Sequence, residues 1–213
     1  MMKFTVNDLV YIGEAAKSLK QRDFVFTPTY LIGLDNIKNY LCYVELDTNF
    51  LSNPAEMYDC VINAKELSAF IKTITLESEF IIDETKNIDT ITTTGGSLNI
   101  RFEKYNIRFA KYKIEKVSYD LGLHTDHVKQ SVDVTNELSE LFSLKKADGI
   151  IYFKYNGYFM TLFSGLLPIN KSDKIHLTIY NQSTINTFIA NFTIIKKKFK
   201  VNIYLAYLNI RGV

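Results

Sequence analysis

The sequence predicts an α+β fold: tandem β-α-β-β repeats arranged as two similar domains, with helices on one face of antiparallel sheets. Three observations predict it. Apolar stripes of helical spacing recur behind short strand-like pieces, each introduced by an Asn. Alternating runs are rich in Tyr and Phe, 14 and 15 in a chain of 213 residues, as half-buried strands are. Asn156-Gly157, the favoured two-residue turn of a β-hairpin, separates two such runs.

Composition sets the limits. Hydrophobic residues make up 47% and charged residues 23%, which excludes a disordered charged tail. No run approaches the roughly 18 apolar residues of a membrane span, and residues 1–8 lack the apolar run of a signal peptide. Cys42 and Cys60 are too few for a disulfide framework and read as buried small hydrophobes, so an intracellular, cytoplasmic setting is expected. A net charge of +2 excludes nucleic-acid binding over the whole surface; such binding requires segregated charge.

The elements follow in order. Strand-like pieces lead into Asn7, Asn63, Asn136 and Asn181, each placed to cap a helix. The four helices behind them carry Leu9, Ile12, Gly13 and Ala16; Leu67, Phe70, Ile71 and Ile74; Leu138, Leu141 and Phe142; and Ile185, Phe188, Ile189 and Phe192. Strands are expected at 24–34 and 40–46, joined across 35–39. Others fall at 79–83, 90–94, 97–103 and 107–112, with turns at Gly95-Gly96 and Tyr105-Asn106. The hairpin 150–155 and 158–163 follows, and a long strand over 200–210 ends the chain, with a short one at 193–195. The polar stretch 117–128 interrupts the strand pattern. It divides an N-terminal domain, 1–116, from a compact C-terminal domain, 129–213, with 117–128 as connector.

Two tandem domains of two β-α-β-β units each resemble the DNA sliding clamp family, whose trimeric branch includes proliferating cell nuclear antigen and the clamp of T-even phages. The resemblance covers nearly the whole chain and rests on architecture. It implies a DNA polymerase processivity factor: a homotrimeric ring with helices lining the hole and strands outside, closed edge strand to edge strand. The candidate edges are 107–112 and 162–169. The implied partners are double-stranded DNA without sequence preference, a DNA polymerase, a clamp loader and further copies of the chain. No cofactor, metal or membrane is implied. The Lys-, Asn- and Ile-rich composition points to an AT-rich genome, viral or phage.

Charge placement agrees with a duplex-facing lining, because phosphates demand Lys and Arg. Lys17, Lys20 and Arg22 end the first helix, Lys65 and Lys72 lie on the second, Lys145 and Lys146 end the third, and Lys196, Lys197, Lys198 and Lys200 follow the fourth. The DNA-binding candidates are Lys17, Lys20, Arg22, Lys72, Lys145, Lys146, Lys196, Lys197 and Lys198. Each taken singly also fits an ordinary helix terminus. In the connector Val117, Tyr119, Leu121 and Leu123 are apolar at every second position. The family's docking of client peptides beside its connector makes these four, with Tyr207, the candidate peptide-binding wall; packing on the first domain explains the alternation equally well.

Enzyme signals are weak. His124 and His127 lack a supporting Cys/His cluster, and His176 stands alone on a strand. No phosphate-loop, nucleophile-elbow or zinc-protease motif is present. No catalytic residue is assigned. The competing expectation is a β-rich viral structural or assembly protein that does not encircle DNA.

Overall fold

The computed structural model describes residues 1–34, 40–75, 78–110, 131–144, 150–155, 158–163, 168–170, 172–181 and 187–208. Contacts divide the chain into two compact units, Met1–Asn36 with Tyr43–Lys113, and Ile37–Cys42 with Ile114–Val213. The connector, 117–128, lies outside the described residues. Both units combine antiparallel sheet with helix, so the class is α+β. No helix among the described residues is long and apolar enough to cross a membrane.

The first unit opens with β1 (Met2–Thr5) and α1 (Val6–Ala16), then β2 (Asp23–Phe26), β3 (Tyr30–Gly33) and β4 (Tyr40–Leu46). β5 (Cys60–Asn63), α2 (Ala64–Ile71), β6 (Glu79–Ile82), β7 (Ile88–Thr93) and β8 (Gly96–Arg101) follow, and α3 occupies 104–110. Its sheet runs β7-β8-β5-β2-β3-β4, and β1 pairs with β6 in a separate ribbon. Alternation supplies the core: on β8, Leu98 and Ile100 are buried while Ser97 is exposed and Asn99 half-buried. Phe4 meets Phe26 edge-on with ring centroids 5.6 Å apart, and Phe70 meets Phe80 at 5.5 Å. Cys42 and Cys60 are both buried, as small hydrophobes are, and neither is in a disulfide.

The second unit holds β9 (Val132–Asp133), α4 (Thr135–Leu144), the hairpin β10 (Ile150–Tyr155) and β11 (Tyr158–Phe163), β12 (Lys174–Asn181), β13 (Thr187–Ile195) and β14 (Phe199–Leu208). Its sheet runs β14-β13-β12-β9. The hairpin has the expected bounds, and Tyr155 pairs Tyr158.

Several expectations are corrected. The fourth helix is a strand: Phe188, Ile189 and Phe192 lie on β13, and Ile185 lies outside the described residues. Phe188, Ala190, Phe192 and Ile194 are buried at every second position, and β13 pairs along its length with β12 and β14. β-branched content and two neighbouring strands outweigh a helical spacing that four residues happen to satisfy. The expected strand 107–112 is instead helical through 110, with Ile107 and Ala110 buried three apart. The expected strand 24–34 breaks at Thr27-Pro28-Thr29 into the hairpin β2–β3, because proline cannot donate to a ladder and the Thr27 hydroxyl accepts from Tyr30 N at 3.0 Å. Of the four Asn, only Asn63 caps as expected. Thr5 caps α1, Asn136 lies within α4, and Asn181 ends β12.

Candidate nucleic-acid interface

α1 and α2 are fixed at their N-terminal ends by acidic and amide side chains. Thr5 and Asp8 form a capping box on α1. The Asp8 carboxylate is buried and accepts four hydrogen bonds of 2.6–2.7 Å, from the backbone N–H and hydroxyl of both Thr5 and Ser52. The segment after β4 is thereby tied to the start of α1. A second tie lies one turn on: the Tyr11 hydroxyl accepts from Asp47 N at 2.8 Å and donates to Asp47 O at 3.3 Å. Burial pushes the Tyr11 phenol up to about 12. An open cleft of about 420 Å³ lies here; Asp8 and Glu79 are among its lining and none of its lining residues is cationic. That sign of charge repels phosphate.

On α2, Asn63 Oδ1 accepts from Lys65 N at 3.0 Å and Glu66 N at 3.1 Å. Glu66 then accepts from Asn99 N at 3.3 Å and Asn99 Nδ2 at 3.2 Å, which anchors the helix to β8. α1 and α2 cross at Gly13. A Cβ there would stand 2.6 Å from Ile71 Cδ1, so glycine permits the close approach. The crossing lies one turn before Lys17 and beside Lys72, the C-cap residues of the two helices.

Exposed cations lie along and just after the two helices. Lys17, Lys20, Arg22, Lys65 and Lys72 are all exposed. Lys17 and Lys72 also complement the negative ends of their helix dipoles. Lys20 holds a φ of 54°, left-handed backbone that glycine adopts freely and lysine adopts at a cost of about 1 kcal/mol. Turning the chain from α1 toward β2 requires that conformation; it does not require a lysine.

The remaining candidates belong to the second unit or lie outside the described residues. Lys145, Lys146, Val117, Tyr119, Leu121 and Leu123 lie outside the described residues. Tyr207 is on β14, where its backbone pairs Phe188. Lys196, Lys197 and Lys198 follow a strand rather than a helix, in the turn from β13 to β14. The Lys196 ammonium donates to Asp173 Oδ2 at 2.6 Å and Pro168 O at 2.7 Å. Lys197 is exposed. His176 lies on β12, and His124 and His127 lie outside the described residues. Among the described residues no group of three or more His, Cys, Asp or Glu is placed to hold a metal.

The Asp8–Ser52 tie escaped the sequence reading. Thr5-x-x-Asp8 has the spacing of a capping box and so signals the cap of α1, whereas Ser52 stands 44 residues from Asp8 and carries no local signal.

No family model matches the chain, and no curated protein matches its sequence. Solved structures similar to it are bacterial beta sliding clamps. A Helicobacter pylori beta clamp in complex with carprofen is 10% identical, with a TM-score of 0.43 over 96% of this chain and 65% of that one. The same clamp bound to a DNA ligase peptide is 13% identical, with a TM-score of 0.41 over 96% and 64%. The chain thus spans about 65% of the length of the clamp chains it is similar to.

Proposed function

We propose that the chain is a subunit of a sliding-clamp-type processivity factor, without catalytic chemistry of its own, which encircles duplex DNA and tethers a DNA polymerase. The observation that carries this reading is the exposed set Lys17, Lys20, Arg22 and Lys72, on the segments that directly follow two packed helices, with Lys20 kept at a backbone position that favours glycine. A protein retains such strain where the side chain is used. Flexible lysines contact phosphates without reading bases, which is what a sliding contact needs.

In this reading the ring forms from three copies joined through sheet edges. The edge strand of the first unit's sheet is β7, with Ile88 53% exposed, and it replaces 107–112 as the candidate edge. Tethering would raise the local concentration of polymerase at the primer end, so that synthesis resumes after each release. The connector residues Val117, Tyr119, Leu121 and Leu123 remain the proposed docking wall for client peptides. The mass of the chain in solution tests the assembly. Three copies per particle are expected; a strict monomer at high micromolar concentration contradicts the ring and favours a structural role without encirclement.

A further inference from the structure

We infer that the exposed face of α3 binds single-stranded nucleic acid, with a base stacked on Tyr105 and the adjoining phosphates held by Lys104 and Arg108. The proposal concerns a surface separate from the α1–α2 cations and does not depend on ring closure.

α3 has two distinct sides. Ile107 and Ala110 are buried and hold the helix to its unit. Lys104, Tyr105 and Arg108 are exposed, and Tyr105 is 79% exposed, a large aromatic surface to leave in water. Tyr105 and Phe109 lie one helical turn apart with rings nearly parallel, 5° between planes and 6.4 Å between centroids. Phe109 thus braces the tyrosine ring in one orientation while its outer face stays open. That geometry suits a flat ligand.

The charges flank the ring. Lys104 precedes Tyr105, and Arg108 lies one turn further on. The pair Lys104 and Arg108 is spaced i,i+4, where like charges destabilise a helix. Neither has an acidic partner among the described residues. The acidic residue beside them, Glu103, is occupied: it pairs with Arg101 at 3.5 Å and accepts from the Asn106 side chain. An unneutralised cation pair bracketing an exposed, braced ring is complementary to a chain that alternates negative charge with flat bases. Single-stranded nucleic acid has that chemistry, and its unpaired bases offer the π-face that a duplex keeps stacked. An acidic peptide would use the cations and leave the ring idle. An anionic membrane would call for several apolar side chains, where α3 exposes one tyrosine.

The test uses the full-length chain and three probes: a labelled oligothymidylate, a duplex of the same length, and vesicles containing phosphatidylserine. The oligothymidylate is expected to bind, with affinity falling steeply as salt rises. Tyr105→Ala should weaken that binding about tenfold, and Tyr105→Phe should restore most of it, because stacking needs the ring and not the hydroxyl. Lys104→Gln with Arg108→Gln should weaken it further and flatten the salt dependence. Tyr105→Ala should leave duplex binding unchanged. All these residues are exposed, so the variants should keep the parent's unfolding midpoint. Failure of the parent to bind the oligonucleotide overturns the proposal. So does binding that Tyr105→Ala leaves intact, or vesicle binding without oligonucleotide binding.

Discussion

Lys196 and Asp173 form a nearly buried ion pair, Nζ to Oδ2 2.6 Å, with side chains 11% and 5% exposed. The ammonium also donates to Pro168 O, and the carboxylate also accepts from Asn170 N at 2.7 Å. The turn between β13 and β14 is thereby fastened to the segment that leads into β12. Removing one partner strands a charge away from water. Asp173→Leu should therefore destabilise the protein by about 3 kcal/mol, and Lys196→Met with Asp173→Leu together should cost less than the two single losses summed. Urea unfolding of the four species gives the comparison.

Asp8 should matter more than its place on a helix indicates. Asp8→Ala removes the capping box and leaves the Ser52 donors without their acceptor, a loss of about 2–3 kcal/mol. Ser52→Ala removes one hydroxyl and should cost about 1 kcal/mol, because the Ser52 N–H still donates. Hydrogen exchange at the Ser52 amide should accelerate in Asp8→Ala alone.

Alkaline stability should report Tyr11. Its phenol is held above the ordinary value of about 10, at about 12, so the folded protein keeps a proton that the unfolded chain gives up. The tyrosine's contribution is constant below about pH 10 and is lost as pH rises from about 10 to about 12. Tyr11→Phe should be less stable at neutral pH, having lost both bonds to Asp47, and should show a flatter alkaline limb. Urea midpoints measured across that range give both slopes.

Lys20→Gly separates strain from charge. Glycine relieves the left-handed backbone, so the variant should be as stable as the parent or more stable by up to about 1 kcal/mol. Its duplex affinity should nonetheless fall and its salt dependence flatten, as for loss of a phosphate contact. Unchanged duplex binding would remove Lys20 from the interface.

Local chemistry made part of this fold legible. Asn156-Gly157 marked the place of the hairpin, because few dipeptides suit a two-residue turn, and β10 and β11 lie on either side of it. Asn63 announced the cap of α2, and the pattern Leu67–Phe70 announced its buried side. The fourth helix failed because Phe188 and Phe192 stand four apart, a spacing that a helical turn and two strand repeats both place on one face; only the pairing with β12 and β14 separates them. The strand expected at 107–112 failed in the opposite sense, since Ile107, Phe109 and the residues beyond alternate plausibly while Ile107 and Ala110 pack as a helix. At the candidate site, the cations of α1 and α2 were legible from their place at helix ends. The engagement of Lys196 was not, because its partner Asp173 is distant in sequence. Neither was the α3 surface, because a turn expected at Tyr105-Asn106 and a strand expected from 107 separate Tyr105 from Arg108 and Phe109.

The central claim is topological, and a duplex with ends that can be blocked tests it most directly. The protein is allowed to thread onto a linear duplex from its ends at low salt, bulky blocks are then added to both ends, and the complex is moved to high salt. A closed ring should be retained on the blocked duplex and lost from the open one, while a charge-only contact is lost from both. Retention that depends on the blocks is the predicted result; equal loss from blocked and open duplex would contradict encirclement.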